Sequence, residues 1–231
     1  MKKTILVLGI LFLFSISVSA MSLTSKGLKA GLNLSKISGD DMVFSNNGDE
    51  LTYEWNFSAG YSVGGFLTFN ITDKFMFQPE LLYSSKTVKI KDTDSKLKMK
   101  YIEVPFLFKY NFQPEGEIRP SLFLGPYAGF KNKVRMLVDS ASYDFVYEDN
   151  DDPGDHKIDI KNIKRMDFGV IFGAGFDYAM NIGVFSFDVR YSMGLTTITA
   201  DKKTGWNLVD ENDEGMDLKN NGILFMLGYA F

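Results

Sequence analysis

Residues 222–231, at the carboxy terminus of the chain, read GILFMLGYAF. Every second position from 223 onward is apolar or aromatic: Ile223, Phe225, Leu227, Tyr229 and Phe231. Successive side chains of a β-strand point to opposite faces, so these five residues would form one continuous apolar face. The segment also has the length of roughly 9–11 residues that a tilted strand needs to cross a membrane. It therefore predicts a strand with one face against lipid.

The same alternation recurs along the chain before this segment. It predicts seven further strands, at residues 26–35, 57–70, 75–86, 99–112, 120–133, 165–178 and 184–195. In most of them large aromatic and aliphatic side chains alternate with glycine, serine or charged residues; in 120–133 both faces carry apolar groups. The pattern predicts an all-β fold: a single eight-stranded antiparallel transmembrane β-barrel with up-and-down topology.

The connections between these strands alternate in length. Long polar segments fall at 36–56, 87–98, 134–164 and 196–221, and short ones at 71–74, 113–119 and 179–183. Transmembrane barrels show this sorting, with long loops outside the cell and short turns in the periplasm. The competing fold is a soluble eight-stranded carrier of the lipocalin kind, whose apolar side chains fill the interior. Rows of phenylalanine opposite glycine and charge favour the membrane barrel, because an eight-stranded interior is narrow.

The first twenty residues have the layout of a cleaved secretory signal peptide. Lys2 and Lys3 precede an apolar run at 5–16 that is broken only by Gly9, and small residues follow at 18–20. The alternative is a retained membrane helix, but the run is shorter than the roughly 20 residues that such a helix needs. We therefore expect a signal peptide at 1–20 and one barrel domain at 21–231.

Composition excludes several classes of function. The chain has 231 residues, no cysteine, one histidine and a net charge of −4. Disulfides, thiolate zinc sites, cysteine nucleophiles and a lipid-attachment cysteine are excluded, and one histidine cannot form a multi-histidine metal site. A weakly acidic chain also lacks the basic surface of a nucleic-acid binder. No cofactor, metal or nucleic-acid partner is expected.

The polar face of the strands predicts a network of charges inside the barrel. Its members are Lys29, Glu80, Glu103, Lys109, Asp167, Asp177, Asp188 and Arg190. Unpaired charge is costly in so narrow a space, which favours a structural network of ion pairs; a selectivity lining or proton path is the alternative. We expect Arg190 to pair with Glu80, Glu103 or Asp188, and Lys29 to neutralise another of these acids.

The apolar face predicts a ring of aromatic residues at the membrane boundary. Its members sit at the periplasmic strand ends: Phe69, Phe75, Tyr110, Phe112, Tyr178, Phe185, Tyr229 and Phe231. Such rings anchor barrels at the level of the lipid headgroups. The terminal alternation over 223–231 is similar to the signal that the barrel assembly machinery reads. Outer-membrane lipid and that machinery are therefore the expected partners.

Three internal segments and the terminal strand together resemble the PorT-like outer-membrane β-barrel family. The segments are GLKAGLNLS at 27–35, QPELLYS at 78–84 and YIEVP at 101–105. The resemblance implies an eight-stranded integral barrel in the bacterial outer membrane, and it implies no reaction. PorT itself is associated with protein secretion, but the match is to the barrel, so that role does not follow.

The function that these features predict is a structural or surface-interaction role through four long acidic loops, with an unknown extracellular partner. The alternatives are porin-like transport of small solutes and a secretion-associated barrel. A remote one is a rim hydrolase or acyltransferase using His156, with Asp155 beside it and Ser140 and Ser142 upstream. We expect no enzyme, and we interpret the acidic segments 149–155 and 210–215 as solvated loop surface and not as calcium sites.

Overall fold

A computed structural model describes residues 22–39, 42–46, 49–53, 55–90, 96–138, 141–146, 157–159, 164–197 and 218–231. Their strands are β1 (Ser22–Gly39), β2 (Met42–Asn46), β3 (Asp49–Tyr53), β4 (Trp55–Asn70), β5 (Phe75–Ile90), β6 (Lys96–Asn111), β7 (Ile118–Val138), β8 (Ala141–Val146), β9 (Lys157–Asp159), β10 (Met166–Met180), β11 (Gly183–Gly194) and β12 (Leu218–Ala230). Within these ranges, no helix has the length and apolar character needed to cross a membrane. The signal peptide predicted at 1–20 lies outside them and stays a prediction.

Eight of these strands close into a ring. The order is β1, β4, β5, β6, β7, β10, β11, β12, each antiparallel to the next, and β12 pairs back onto β1. The last bond of the closure runs from the Phe231 N–H to the Lys26 carbonyl, at 2.9 Å. Closure pairs the backbone of each of these eight strands on both sides, so the ring has no exposed edge, as lipid requires. The predicted eight-stranded antiparallel barrel is confirmed.

The remaining strands extend the barrel at one end. β2 and β3 form a hairpin between β1 and β4, β8 pairs with the distal part of β7, and β9 runs parallel to β8. We call this end of the barrel the loop end. The other, which holds Ser22, Ala230 and the short turns after β4, β6 and β10, is the terminal end.

Six of the eight predicted barrel strands are too short toward the loop end, and one predicted loop is wrong. β5 continues to Ile90 and β6 begins at Lys96, so residues 91–95 replace the long connection expected at 87–98. β7 likewise extends to Val138, beyond its predicted end at 133. In these extensions Val88 and Val134 are 0% exposed and face the interior, and basic residues alternate with the apolar ones on the outer face. The outward apolar pattern therefore ends before the backbone pairing does.

The two faces of the barrel wall differ in exposure as the alternation predicts. Leu28, Leu124 and Leu227 point outward and are 66%, 62% and 63% exposed, whereas their chain neighbours Lys29, Phe123 and Met226 are buried. The interior is more apolar than predicted. Side chains of two buried clusters share it with glycine, serine and charge: Leu107, Phe123, Tyr127 and Ile171 in one, and Leu82, Leu224 and Met226 in the other.

The predicted aromatic residues meet in pairs at the terminal end. Ring centroids of Phe75 and Tyr110 lie 4.9 Å apart, and those of Phe185 and Tyr229 lie 5.0 Å apart. Phe112 packs edge-on against Tyr110 at 5.1 Å. The Phe75–Tyr110 and Phe185–Tyr229 pairs join neighbouring strands on the outer face, so they contribute to strand pairing as well as to the apolar surface.

Gly173 on β10 allows an aromatic ring to pack inside the barrel. It lies opposite Phe123 of β7 and Arg190 of β11 in the strand register. A Cβ at this position would lie 2.8 Å from two carbons of the Phe123 ring. The glycine therefore leaves the space that the ring occupies beside the charged residues of the interior.

Gly173→Val should destabilise the barrel, because the new Cβ would collide with the Val189 carbonyl oxygen and would lie 2.8 Å from the Phe123 ring. Overpacking of this kind costs about 1–3 kcal/mol. The matched control is Ala174→Val, one residue along β10, where the side chain is exposed and the added groups meet lipid. Urea unfolding in lipid vesicles, followed by heat-modifiable gel migration, gives both midpoints. Equal midpoints for the two variants would show that Gly173 does not make room for the Phe123 ring.

Candidate functional site: the charge network inside the barrel

The structure places all eight predicted interior charges on the inner face of the wall. Seven of them are at most 5% exposed: Lys29, Glu80, Glu103, Lys109, Asp167, Asp188 and Arg190. The side chain of the eighth, Asp177, is 15% exposed. These residues lie on five strands, β1, β5, β6, β10 and β11, so it is the closure of the ring that brings them together.

Four of these residues form one network at the centre, which we call the central quartet: Lys29, Glu80, Asp188 and Arg190. The Arg190 guanidinium donates to both carboxylate oxygens of Glu80, from Nη1 to Oε2 at 2.6 Å and from Nη2 to Oε1 at 2.9 Å. Nη2 also donates to Asp188 Oδ2 at 2.7 Å. Lys29 Nζ donates to the same Asp188 oxygen at 2.6 Å and to Glu80 Oε1 at 3.1 Å. Two acids thus face two bases, and the quartet is formally neutral.

The central quartet crosses the lumen from wall to wall. Glu80 lies on β5 and Arg190 on β11, which are four strands apart in either direction around the ring of eight. The side chains of both residues are 0% exposed. A bidentate guanidinium–carboxylate pair fixes distance and direction together, so the two walls are joined at a defined separation.

Neighbouring side chains hold the quartet in place. Gln78 Nε2 donates to Glu80 Oε1 at 2.6 Å. The Arg190 guanidinium lies 5.4 Å from the centroid of the Phe123 ring, and Lys29 Nζ lies 4.9 Å from that of Phe66. Cation–π contacts of this kind stabilise buried bases. The extra bonds matter, because burying four charges is favourable only if they are well paired.

Two further ion pairs lie on either side of the quartet. Lys86 Nζ is 2.6 Å from Glu103 Oε1, toward the loop end. Toward the terminal end, Lys109 Nζ donates to both oxygens of Asp177 at 2.8 Å. Of the three acids expected as candidates for Arg190, Glu80 and Asp188 bind it, and Glu103 binds Lys86.

Two buried bases were missed by the sequence reasoning: Lys86, 3% exposed, and Lys131, 1% exposed. Lys131 donates to the Lys164 carbonyl at 2.8 Å. An even spacing from Glu80 along the same strand could have identified Lys86, because it places both side chains on one face. Both lysines lie near strand ends, where the apolar alternation weakens. With Asp177 included, the buried charges of the described residues come to five bases and five acids.

A cavity of about 370 Å³ lies inside the barrel toward the terminal end. Gln78 and the Lys109–Asp177 pair line it, as do Asp73 and Glu115 of the terminal-end turns. The lining suits water or a small polar molecule. Among the described residues, no three His, Cys, Asp or Glu side chains gather as metal ligands. His156, on which the catalytic alternative depended, and the two acidic loop segments lie outside the described residues.

The five residues of the predicted assembly signal lie on the outer face of β12 and just after it. Phe225, Leu227 and Phe231 are 40%, 63% and 63% exposed, and Ile223 and Tyr229 are half-buried. The Tyr229 hydroxyl donates to the Ile182 carbonyl at 2.6 Å, which joins β12 to the turn after β10. Their role as a signal stays a prediction.

Comparison with known proteins identifies the family. A family model described as the outer membrane protein beta-barrel domain matches residues 22–200. The chain belongs to this family. Its location is accordingly the bacterial outer membrane. The family match does not resolve the narrower PorT-like relationship. No curated protein matches the chain.

Several solved outer-membrane barrels are similar in fold and distant in sequence. The attachment invasion locus protein Ail of Yersinia pestis is 13% identical, with 90% of this chain and 98% of that chain covered and a TM-score of 0.40. Neisserial surface protein A is 10% identical, with 91% and 99% covered and a TM-score of 0.47. OprG of Pseudomonas aeruginosa is 13% identical, with 90% and 97% covered and a TM-score of 0.44.

Arg190→Met should destabilise the barrel by about 3–5 kcal/mol, because it leaves Glu80 and Asp188 to share Lys29 in a buried space. The matched double variant, Glu80→Gln with Arg190→Met, removes one charge of each sign and keeps the Lys29–Asp188 pair. It should be more stable than the single variant. Urea unfolding in vesicles measures both. A double variant less stable than Arg190→Met would show that the loss reflects packing and not stranded charge.

Proposed function

We propose that the protein is an integral outer-membrane barrel with a closed lumen, whose role is structural or is exercised by surface contacts at the loop end. The observation that carries this proposal is the central quartet, a neutral, buried network that joins opposite walls of the ring. A solute would have to break the bidentate bond between Arg190 and Glu80 in order to pass.

The packing around the quartet supports the same conclusion. An eight-stranded barrel is only wide enough for its own side chains. Leu107, Phe123 and Tyr127 fill part of the interior, and Leu82 and Met226 fill more of it. The alternative, porin-like transport, is favoured by one observation, the polar cavity at the terminal end. That cavity would have to connect through the quartet to make a continuous path.

The length of the wall at the loop end supports a role there. β7 has 21 residues, about twice the roughly 9–11 needed to cross the membrane at a tilt. Its distal part pairs with β8, and β9 extends the same sheet. We propose that this extension projects from the cell surface with the connections around it. Within the family, we propose PorT-like proteins as the nearest group, without a secretion role.

We further propose that the outward residues at 223–231 direct insertion by the barrel assembly machinery. The arrangement on β12 supports this, because Phe225, Leu227 and Phe231 are exposed on the outer face, with the half-buried Tyr229 between the last two, beside the closing pair β1–β12. Membrane lipid would cover that face after insertion.

Planar-bilayer recording tests the closed lumen. Wild-type protein should show no steady open level, because the quartet blocks the path. Arg190→Ala should raise the leak of ions, since it removes the bond between β5 and β11. Lys36→Ala is the matched control: it removes one base from β1 at a half-buried position of the loop end and should leave the leak unchanged. A large steady wild-type conductance would favour the porin-like alternative.

Cysteine labelling of intact cells tests the orientation. The chain has no cysteine, so a single introduced thiol is a unique label. Lys164→Cys, at an exposed loop-end position, should react with a membrane-impermeant maleimide. Asn181→Cys, exposed in the turn between β10 and β11, should react only after the membrane is permeabilised. The reverse pattern would place the loop end in the periplasm and refute a surface role.

A further inference from the structure

The interior cavity at the terminal end extends from the surface of the barrel to the central quartet. Asp73 and Glu115, which are exposed residues of the short turns, belong to its lining, so the cavity reaches the surface at that end. Gln78 also lines it, and its Nε2 donates to Glu80 of the quartet. The quartet therefore closes the cavity on the side of the loop end, and a molecule inside it can enter and leave only at the terminal end.

The volume of the cavity limits an occupant to a small molecule. Ligand pockets in proteins have volumes of roughly 300–1,000 Å³. This cavity, at about 370 Å³, lies near the lower limit of that range. It suits one small ring, and it has no room for a chain of several units.

Two buried side chains of the lining have a polar atom without a hydrogen-bond partner. Asn111 on β6 is 4% exposed and its Oδ1 accepts no bond, and Ser186 on β11 is 8% exposed and its Oγ makes none. Buried polar atoms in proteins are almost always bonded, so these exceptions call for an explanation. A half-turn of the carboxamide exchanges its oxygen and nitrogen, and a hydroxyl both donates and accepts. Both side chains are therefore suited to bond with hydroxyl groups in the cavity.

The charges of the lining do not favour an ionised ligand. Lys109 Nζ donates to both carboxylate oxygens of Asp177, so the two charges in the deep part of the cavity neutralise each other. Nearer the surface, Asp73, Glu115 and Arg119 line the cavity with an excess of one negative charge. An anion would lose its hydration on entry without gaining an unpaired base in return. The lining therefore favours an uncharged ligand.

Apolar side chains complete the lining. Phe66 and Met76 are 7% and 9% exposed, and Val184 and Ala230 join them from β11 and β12. The face of an aromatic ring carries partial negative charge and attracts the positive edges of C–H bonds. Apolar surface together with neutral donors and acceptors matches a ring that has C–H groups on its faces and hydroxyls around its edge. Sugars and cyclic polyols have this chemistry.

We propose that the terminal-end cavity binds an uncharged polyhydroxylated ring of monosaccharide size. Asn111 and Ser186 bond to its hydroxyls, and Phe66 packs against one of its faces. The inference goes beyond the proposed function, because binding requires neither a conducting path nor a particular orientation in the membrane. With the loop end outward, as proposed above, the sugar reaches the cavity from the periplasm.

Saturation-transfer NMR on refolded protein tests the proposal, in phosphocholine micelles because their headgroup contains no sugar. The probes are D-glucose, D-galactose and N-acetyl-D-glucosamine, and at least one should bind wild type. Glucuronate should bind more weakly than glucose, because it carries a negative charge. Maltose should also bind more weakly, because its second ring exceeds the volume of the cavity. These comparisons need no variant, so they decide the matter even if a variant fails to fold.

Asn111→Leu with Ser186→Ala should weaken binding of the best probe sugar roughly twenty-fold, as expected for two lost hydrogen bonds. The matched control is Asn220→Leu with Ser192→Ala. It makes the same two substitutions at buried positions on the loop-end side of the quartet, and Ser192 lies on β11 as Ser186 does. The control should bind the sugar like wild type, and heat-modifiable migration should show that both variants fold.

Four outcomes would overturn the proposal. None of the three sugars binds wild type, or glucuronate binds as tightly as glucose. Maltose binds more tightly than glucose, which would assign the site to the end of a longer glycan. The two double variants bind the sugar equally well, which would place binding outside the cavity. Binding in micelles does not depend on conductance or labelling, so failure here is distinguishable from failure of the proposed function.

Discussion

The constraint on which the whole structure depends is the absence of water in the membrane. Every backbone donor and acceptor must find a partner within the protein, and eight strands meet this demand only when the last pairs with the first. The closing pair β1–β12 therefore fixes the circumference, and the circumference fixes how little room the interior has. Side chains inside must fit that space and satisfy one another.

Charge pairing inside the barrel follows from this limited space. Glu80 and Arg190 each lose their interactions with water, and the bidentate bond between them replaces part of that lost interaction energy. Lys29 and Asp188 complete a neutral set, and the Phe66 and Phe123 rings cover the bases. The same side chains that stabilise the barrel occupy the path that a solute would take, so stability and closure have one cause.

Alternation predicted the fold because it reports directly on which face meets lipid. Phe225 and Leu227 indicated the outer face of β12. In the other strands, the charged residues at the positions between the apolar ones indicated the inner face. The acid that Arg190 binds could not be predicted from the sequence, because it depends on the strand register and on which strands lie opposite each other across the lumen. Lys86 and Lys131 were missed because each lies near the end of a predicted strand, where the outward apolar pattern that marks the two faces weakens. Residues 91–95 were expected as part of a longer loop because the extensions of β5 and β6 carry no outward apolar pattern to recognise. The interior apolar clusters were missed for a related reason: in a narrow barrel, inward positions accept any side chain that fits.

The placement of the buried charges also bears on the order in which the barrel can assemble. Arg190 and its partner Glu80 are 110 residues apart in the chain, so their bond is available only after most strands are present. Before that, Glu80 can use Lys29 and Glu103 can use Lys86, both from the first four strands of the ring. Asp188 can likewise use Arg190 of its own strand. Each half of the ring can thus begin to enter the membrane with most of its interior charges already paired. The exception is Lys109 in the first half, whose partner Asp177 lies in the second. Attraction between Lys109 and Asp177 would favour association of the two halves. The bond between Arg190 and Glu80 would then stabilise a ring that had already closed.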